Sequence, residues 1–169
     1  EIGCGCGRNL AAIRRRYPSM AVSGCDICPE AVAEARKSLP GGQIWADDVS
    51  GWSLYGHVPF SVFGGIDVVL AAGVLCHLAP SVVTALVPML RLDLAGLALV
   101  LVDEDGRGEV AKGPRAWGAE KITGDYVLWR HPITDMLLHE GVRDELALPQ
   151  PLPEDLQAPG ATKVWIVRR

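Results

Sequence analysis

A glycine-rich turn and a distant aspartate are the residues whose types and spacing first suggest chemistry. The turn reads Gly3-Cys4-Gly5-Cys6-Gly7 and precedes a predicted helix, so a ligand can approach its backbone closely and meet unpaired helix N–H groups. Asp26 ends the next predicted strand, nineteen positions after Gly7, where a carboxylate can accept both hydroxyls of a ribose. The pair predicts a nucleotide-type cofactor site. The alternative role for Asp26 is to cap the helix that begins at Pro29.

Five cysteines suggest two further chemistries, a zinc site and a redox pair. Cys25 and Cys28 form a C-x-x-C pair, and Cys4 and Cys6 lie in the glycine turn, so four thiolate ligands are conceivable. We favour a simpler interpretation, in which the turn needs small residues and Cys25 ends a strand. The histidines show no four-ligand spacing, so we expect no metal. An odd cysteine count is unlike a secreted disulfide scaffold and indicates a reducing cytoplasm.

Composition excludes several function classes. The chain has 169 residues, a net charge of −4 and 49% hydrophobic residues, which is typical of a globular domain and not of a disordered chain. We expect no nucleic-acid partner, because binding to phosphate backbones requires a basic face. We also expect no membrane span. The most apolar stretch, 82–102, contains Arg91 and Asp93 and predicts a helix followed by a strand.

The predicted elements alternate between strand and helix. Helices are predicted at 8–17, 29–39, 80–92 and 132–139, and strands at 20–27, 43–46, 66–72, 94–102, 142–148 and 163–167. Residues 103–131 show no clear periodicity and are expected to form an insertion on the substrate side. The alternation predicts a single α/β domain over 1–169 with a doubly wound, mostly parallel sheet. Ligands bind such sheets at the carboxyl ends of strands.

The first residues predict an incomplete first strand. Glu1 is not Met, and Glu1-Ile2 is followed at once by the glycine turn, so the apolar body of a strand is missing. That strand would lie at the centre of the sheet, beside the strands that end at Asp26 and Ala72. We therefore expect an N-terminally truncated chain that is poorly stable and nearly inactive when expressed alone.

The same residues resemble the motifs of class I S-adenosylmethionine-dependent methyltransferases. The first motif of that family is an acidic residue, an apolar residue and then G-x-G-x-G, as in Glu1 to Gly7. The other matching segments are Gly24-Cys25-Asp26-Ile27, Ala46-Asp47-Asp48-Val49, Ile66-Asp67-Val68-Val69-Leu70 and Ala72-Gly73-Val74-Leu75-Cys76-His77-Leu78. The resemblance covers roughly residues 1–102, and the strand at 163–167 fits the family's antiparallel last strand. It implies a Rossmann-like fold, S-adenosylmethionine as cofactor and methyl transfer to a small-molecule acceptor.

The resemblance also assigns cofactor contacts. The residues concerned are Glu1, Gly3, Gly5, Gly7, Asp26, Ile27, Asp47, Asp48, Ala71, Ala72 and Gly73. Glu1 would orient the methionine end of the cofactor, the three glycines of the turn would let it approach, and Asp26 would hold the ribose. Asp48 would bond the adenine amine, with Asp47 as the alternative because the register is ambiguous by one. The three residues at 71–73 would flank the methionine portion.

A general base is needed only if the methyl acceptor is a hydroxyl or a protonated amine. His77 is the first candidate, because it follows the fourth strand and an unperturbed histidine titrates near physiological pH. The alternative, held equal, is that His77 caps the turn before Pro80. His131, in the insertion, is expected to contact substrate or to serve the fold.

Three further interpretations complete the set. Arg8-Asn9-Leu10, 73–77 and 125–138 are similar to small methyltransferases associated with pseudaminic acid biosynthesis, although the family's tyrosine-rich stretch is replaced here at 102–105. The first rival class is a NAD(P)-binding oxidoreductase, which prefers G-x-G-x-x-G/A, whereas here the third glycine comes one residue early. The second is an inactive or non-catalytic cofactor-binding fragment.

Overall fold

The structure, a computed structural model, describes residues 1–52, 66–93, 98–104, 120–122, 128–131, 136–137 and 162–167. These residues belong to two units, Glu1–Gly51 and Trp52–Arg169. The expectation of one domain over 1–169 stays a prediction.

Helix α1 spans Arg8–Arg16 and begins directly after the glycine turn, with Gly7 as its N-cap residue. Leu10 is its buried residue, and three arginines occupy the last turn, where the helix dipole favours positive charge. The N–H of Tyr17 donates to the carbonyl oxygen of Ile13 at 2.8 Å, and Pro18 then prevents the helix from continuing.

Two parallel strands and one crossover helix follow in the first unit. Strand β1, Ser23–Asp26, pairs with strand β2, Gln43–Ala46, so that Asp26 lies opposite Ala46. Helix α2, Pro29–Ser38, connects the two strands and has proline in its first turn, where a missing N–H removes no helical hydrogen bond. The core of this unit contains Cys4, Leu10, Val22, Val32, Ala35, Leu39 and Ile44.

The residues before the glycine turn run parallel to β1. Ile2 bridges to Cys25, the Glu1 nitrogen donates to the carbonyl oxygen of Ser23 at 2.7 Å, and the Cys25 N–H donates to that of Glu1 at 3.0 Å. This agrees with the predicted position beside the strand that ends at Asp26. It also brings Glu1 and Asp26 to the same edge of the sheet.

The predicted strand at 20–27 is too long. The N–H of Met20 donates to the carbonyl oxygen of Tyr17 at 3.0 Å, so this part of the sequence forms a turn after α1. Met20 is exposed, and ladder pairing begins only at Ser23. Contact with β2 begins only at Val22, whose carbonyl oxygen accepts a hydrogen bond from the N–H of Gln43 at 3.2 Å.

The strands of the second unit are β3, Val68–Ala72, β4, Ala98–Glu104, β5, Glu120–Ile122, β6, Leu128–Arg130, and β7, Thr162–Val167. Strand β3 pairs in parallel with β4, and β4 pairs antiparallel with β7. The expected antiparallel closing strand is therefore confirmed. Strand β4 continues two residues past its predicted end at 102, because Asp103 lies opposite Lys163 and Glu104 opposite Thr162.

Helix α3 spans Pro80–Asp93, one residue beyond the predicted 80–92. Val83, Leu86 and Val87 are buried at the spacing of one helix face. Among the helices of the described ranges, none is long and apolar enough to cross a membrane.

The predicted insertion at 103–131 contains regular structure that its sequence does not reveal. Strands β5 and β6 form an antiparallel pair in which Lys121 lies opposite Trp129. Strands of three residues are too short to show a periodic pattern, so neither strand could be predicted from the sequence. Met136 and Leu137 are helical and buried, inside the predicted helix at 132–139. The predicted strand at 142–148 lies outside the described residues.

Candidate cofactor site

The backbone of the glycine turn requires glycine at three positions. Gly3, Gly5 and Gly7 have φ angles of 68°, 50° and 76°, in the left-handed region that other residues adopt only with strain. The turn is closed by the Gly7 N–H, which donates to the carbonyl oxygen of Cys4 at 2.9 Å. The predicted G-x-G-x-G turn between a strand and a helix is therefore present.

The glycines of the turn differ in what surrounds them. A Cβ atom at Gly5 would meet nothing within 4 Å, so the space beside this residue is open. A Cβ atom at Gly7 would lie 2.8 Å from Cδ1 of Leu39 and 3.1 Å from Cβ of Ala35, because α2 packs directly on this residue. Cofactor approach, predicted for all three glycines, thus suits Gly5, whereas the space that Gly7 leaves is filled by the protein's own helix.

Asp26 connects the glycine turn to the start of α2. Its Oδ2 atom accepts a hydrogen bond from the N–H of Gly5 at 2.7 Å, and its Oδ1 atom accepts one from Cys28, the N-cap residue of α2, at 2.9 Å. The bond to Cys28 is an Asx turn that precedes the helix, and the N-cap residue has no side-chain capping bond, so the capping role considered for Asp26 is not found. A carboxylate has about four lone-pair sites, so two remain for the hydroxyls of a ribose.

Glu1 carries a buried carboxylate at the same edge. The residue is 9% exposed, and its Oε1 atom accepts a hydrogen bond from Nδ2 of Asn9 at 2.7 Å. The Oε2 atom is buried and has no hydrogen-bond partner in the described part of the chain. Burial raises the pKa of Glu1, and the nearby Asp26 charge adds to this effect, while the hydrogen bond from Asn9 opposes it. An ionised oxygen buried in this way requires a partner.

Two thiols near the turn, those of Cys4 and Cys25, are buried. Burial raises their pKa values to about 11 and about 12, so both stay protonated at neutral pH. In the described ranges, no group of three or more His, Cys, Asp or Glu residues could hold a metal ion.

The two candidate adenine contacts follow β2. The N–H of Asp47 donates to the carbonyl oxygen of Asp26 at 3.0 Å, and its Oδ2 atom accepts a hydrogen bond from Nε1 of Trp45 at 3.3 Å. Oδ1 of Asp48 accepts bonds from the N–H and hydroxyl of Ser50, at 2.9 and 2.6 Å, and so caps the 3₁₀ turn Val49–Gly51. The choice between Asp47 and Asp48 for the adenine amine stays open.

Ile27 follows Asp26 and is an exposed apolar side chain. It is 68% exposed, although hydrophobic residues of this size are usually buried. An exposed isoleucine beside a ribose-type carboxylate offers an apolar surface to a flat base. This geometry is consistent with the predicted cofactor contact.

The predicted contacts of the second unit lie where β3 ends. Ala71 is fully buried, so its side chain belongs to the core, whereas Ala72 is half-buried and Gly73 is exposed. Gly73 has a φ angle of 65°, and a Cβ atom there would meet nothing within 4 Å. Of the three residues, Ala72 and Gly73 are therefore the ones that are accessible to a ligand.

His77 and His131 have different surroundings in the second unit. His77 is exposed, at the end of a 3₁₀ turn formed by Leu75–His77. His131 is 1% exposed, and its Nε2 atom lies 2.9 and 3.1 Å from the carbonyl oxygens of Leu75 and Leu78. Of the two roles expected for His131, the structure supports the one in the fold. His77 stays the candidate base.

The fold resembles those of solved methyltransferases. The S-adenosylmethionine-dependent methyltransferase SibL, in its apo form, gives a TM-score of 0.65 at 19% identity, over 99% of this chain and 49% of that chain. Mitomycin 7-O-methyltransferase MmcR gives a TM-score of 0.65 at 19% identity, over 99% of this chain and 47% of that chain. Magnesium protoporphyrin IX methyltransferase from Synechocystis PCC 6803, with bound SAH, gives 0.59 at 19% identity over 99% and 72%. The predicted Rossmann-like α/β fold is confirmed.

The sequence itself shows the family. Residues 1–92, more than half of the chain, match the family model described as a methyltransferase domain. The chain belongs to this methyltransferase domain family. The predicted membership of a methyltransferase family is therefore confirmed. None of these similarities supports the oxidoreductase alternative.

Curated relatives match a shorter part. Trans-aconitate 2-methyltransferases from several strains of Escherichia coli are 36% identical over 52 residues, which is 31% of this chain and 21% of theirs. The match thus spans about a fifth of the length of these relatives. The similarity to pseudaminic acid-associated methyltransferases stays a prediction.

The described residues of the first unit fit S-adenosylmethionine. Oε2 of Glu1 is a buried anionic atom without a partner among them, Gly5 borders open space, and Asp26 keeps two unused lone-pair sites. These features suit, respectively, the cationic methionine end of the cofactor, its close approach to the backbone, and its ribose.

Sequence reasoning assigned no role to Asn9. Its signal is its position as the second residue of the helix that follows the glycine turn, because the first turn of that helix lies over the residues before it. No sequence rule specifies that the amide would reach Glu1, since that contact depends on the fold of the turn.

Proposed function

We propose that the protein transfers the methyl group of S-adenosylmethionine to a small-molecule acceptor such as a sugar or another metabolite. One observation carries the proposal. The buried carboxylate of Glu1 lies beside the glycine turn that Asp26 ties to the next strand, and one of its oxygens has no hydrogen-bond partner in the described part of the chain. The names of the similar proteins describe methyl transfer to organic molecules, including trans-aconitate and mitomycin.

The residues of the chain bind and orient the reactants. The cofactor supplies a methyl group already activated on a sulfonium, so alignment with the acceptor contributes much of the rate. Glu1 holds the ammonium of the methionine end, Asp26 holds the ribose hydroxyls, and Ile27 offers an apolar surface to the adenine. Either Asp47 or Asp48 accepts a hydrogen bond from the adenine amine.

The acceptor side has two proposed parts. His77, exposed at the end of its 3₁₀ turn, takes a proton from a hydroxyl or ammonium acceptor. Residues 103–131, which include the β5–β6 pair, contact the acceptor. Exchanging this segment for that of a relative is expected to change acceptor choice and to leave the affinity for S-adenosylhomocysteine unchanged. A collapse of that affinity would make the segment structural instead.

We also propose a cytoplasmic location. None of the described cysteines forms a disulfide, and the buried thiols of Cys4 and Cys25 are protonated, which suits a reducing compartment.

Calorimetry on the complete protein tests the proposed function. S-adenosylmethionine and S-adenosylhomocysteine are expected to bind, and NAD is not. Tight binding of NAD, with no response to either sulfur ligand, would overturn the proposal.

A further inference from the structure

Asn9 links helix α1 to the buried carboxylate. Its Nδ2 atom donates to Oε1 of Glu1 at 2.7 Å, across eight positions in the sequence. The contact arises because the glycine turn folds the start of α1 back over the residues that precede it. Among the described residues, no other side chain donates a hydrogen bond to this carboxylate.

The two oxygens of Glu1 therefore have different surroundings. Oε1 is held by Asn9, whereas Oε2 is buried without a partner among the described residues. The terminal torsion of a glutamate is broad and roughly two-fold, so packing alone specifies the carboxylate plane poorly. A short bond to one oxygen removes this freedom and leaves the other oxygen with a fixed direction.

We propose that Asn9 is a positioning residue that holds the Glu1 carboxylate so that Oε2 meets the ammonium group of the cofactor. The proposal rests on the proposed function, because it concerns the same site. Asn9 acts through Glu1 and does not itself contact the reacting atoms.

The charges around Glu1 make this role important. Burial and the Asp26 carboxylate both disfavour the ionised form of Glu1, while the hydrogen bond from Asn9 favours it. The thiols of Cys4 and Cys25, the other titratable groups nearby, stay neutral because burial raises their pKa values. Among the described side chains, the amide of Asn9 is thus the one that favours the ionised form of the carboxylate and also orients it.

The test uses two variants that keep the size of the side chain and remove its donor, Asn9→Leu and Asn9→Asp. Arg15→Ala, on the exposed surface of the same helix, is the matched control. Calorimetry with S-adenosylhomocysteine is done on the complete protein at several pH values. A separate NMR titration of the Glu1 carboxyl group is done without any cofactor.

The Glu1 carboxyl group is expected to titrate at higher pH in both Asn9 variants than in the unaltered protein. Both variants should bind S-adenosylhomocysteine at least about tenfold more weakly near pH 6, as for the loss of one hydrogen bond to a charged group. In Asn9→Leu the deficit should shrink as the pH rises, because Glu1 then ionises without help, whereas in Asn9→Asp the added negative charge continues to oppose that ionisation. A general structural defect would lower the affinity equally at every pH, and Arg15→Ala should change neither readout.

Unaltered affinity and an unaltered Glu1 titration in folded Asn9→Leu and Asn9→Asp would overturn the proposal. Should one variant fail to fold, the other decides. If the unaltered protein itself does not bind S-adenosylhomocysteine, the proposed function fails. The titration, which needs no cofactor, then still reports whether Asn9 holds the carboxylate.

Discussion

Nε2 of His131 lies 2.9 Å from the carbonyl oxygen of Leu75, 56 positions earlier in the chain. Carbonyl oxygens only accept hydrogen bonds, so Nε2 carries a proton in this contact and in the one to Leu78. The residue follows β6 directly and is buried against the 3₁₀ turn after β3. A histidine in the proposed substrate segment therefore shapes the turn that carries His77.

Replacing this buried ring should destabilise the fold. His131→Ala is expected to lower the free energy of unfolding by about 2–4 kcal/mol, because it removes a buried side chain and its hydrogen bonds. Urea denaturation measures the loss. His77→Ala, an exposed change in the same unit, should stay within about 0.5 kcal/mol of the unaltered protein. Equal stability of the two variants would contradict the assignment of His131 to the fold.

The turnover of His77→Ala tests the proposed base. If His77 takes the acceptor proton, the rate should fall by about 10²–10⁴-fold while the affinity for S-adenosylhomocysteine is unchanged. Steady-state rates with an active acceptor, together with calorimetry, separate the two effects. Unchanged turnover across the pH range would return His77 to the capping role before Pro80.

Much of the fold could be predicted from residue pattern, because buried strands and amphipathic helices have strong local signals. The predicted bounds of strand β3 and helix α3 lie within two residues of the observed ones. Strand β3 belongs to an apolar run, and helix α3 keeps a 3.6-residue period. The β5–β6 pair was not found, because each strand has three residues and is defined by its partner. The extension of β4 depends likewise on pairing with β7.

The features of the candidate site also fall into those that the sequence predicts and those that depend on the fold. Glycine spacing and the two acidic residues Glu1 and Asp26 could be identified from the sequence, because the chemistry of a nucleotide-like cofactor constrains them. That Gly7 serves packing and that Asn9 reaches Glu1 could not be identified, because both depend on contacts between separate elements. The ambiguity between Asp47 and Asp48 persists because each carboxylate already has a local partner.

Glu1→Gln should stabilise the cofactor-free protein and weaken its binding of S-adenosylhomocysteine. The pKa of Glu1 is raised in the folded protein above its ordinary value of 4.5, so the charge becomes unfavourable as the pH rises through that raised pKa. Glutamine stays neutral, keeps an oxygen for Asn9, and should make the cofactor-free protein more stable at about pH 7. Affinity for S-adenosylhomocysteine should fall by about 1.5–3 kcal/mol, as for a lost bond to a charged group.

Thermal melts across the acidic range check the sign of this effect. The advantage of Glu1→Gln should disappear below about pH 4, where the unaltered carboxyl group is protonated in both states. An advantage that does not depend on pH would mean that the gain comes from packing and not from the buried charge.

Asp26→Ala should weaken both the fold and the site. The N–H groups of Gly5 and Cys28 lose their acceptor. The part-buried bond of Gly5 should account for a loss of about 1–3 kcal/mol in stability, whereas water can replace the acceptor of the exposed Cys28 N–H. Calorimetry should show a loss of about 1.5–3 kcal/mol in the affinity for S-adenosylhomocysteine. Val32→Ala, in the core of the same unit, is the control, because it should lower stability without changing affinity. Unchanged affinity in folded Asp26→Ala would leave the carboxylate with its structural bonds to Gly5 and Cys28 alone.

The last prediction compares two glycines of one turn, Gly5 and Gly7, whose φ angles are both positive. Gly5→Ala should cost only the strain of that backbone conformation, about 1–2 kcal/mol, because its Cβ atom enters open space. Gly7→Ala adds an approach of 2.8 Å to Leu39 and should cost about 2–5 kcal/mol. Affinity for S-adenosylhomocysteine should show the reverse order once both variants are measured in their folded state, since the methyl group at residue 5 occupies the space that the cofactor is proposed to use. Calorimetry ranks the two variants by affinity, and urea denaturation of the same preparations ranks them by stability. If Gly7→Ala is as stable as Gly5→Ala, Leu39 moves aside and the packing argument fails; if Gly5→Ala binds normally, the cofactor does not approach the turn there.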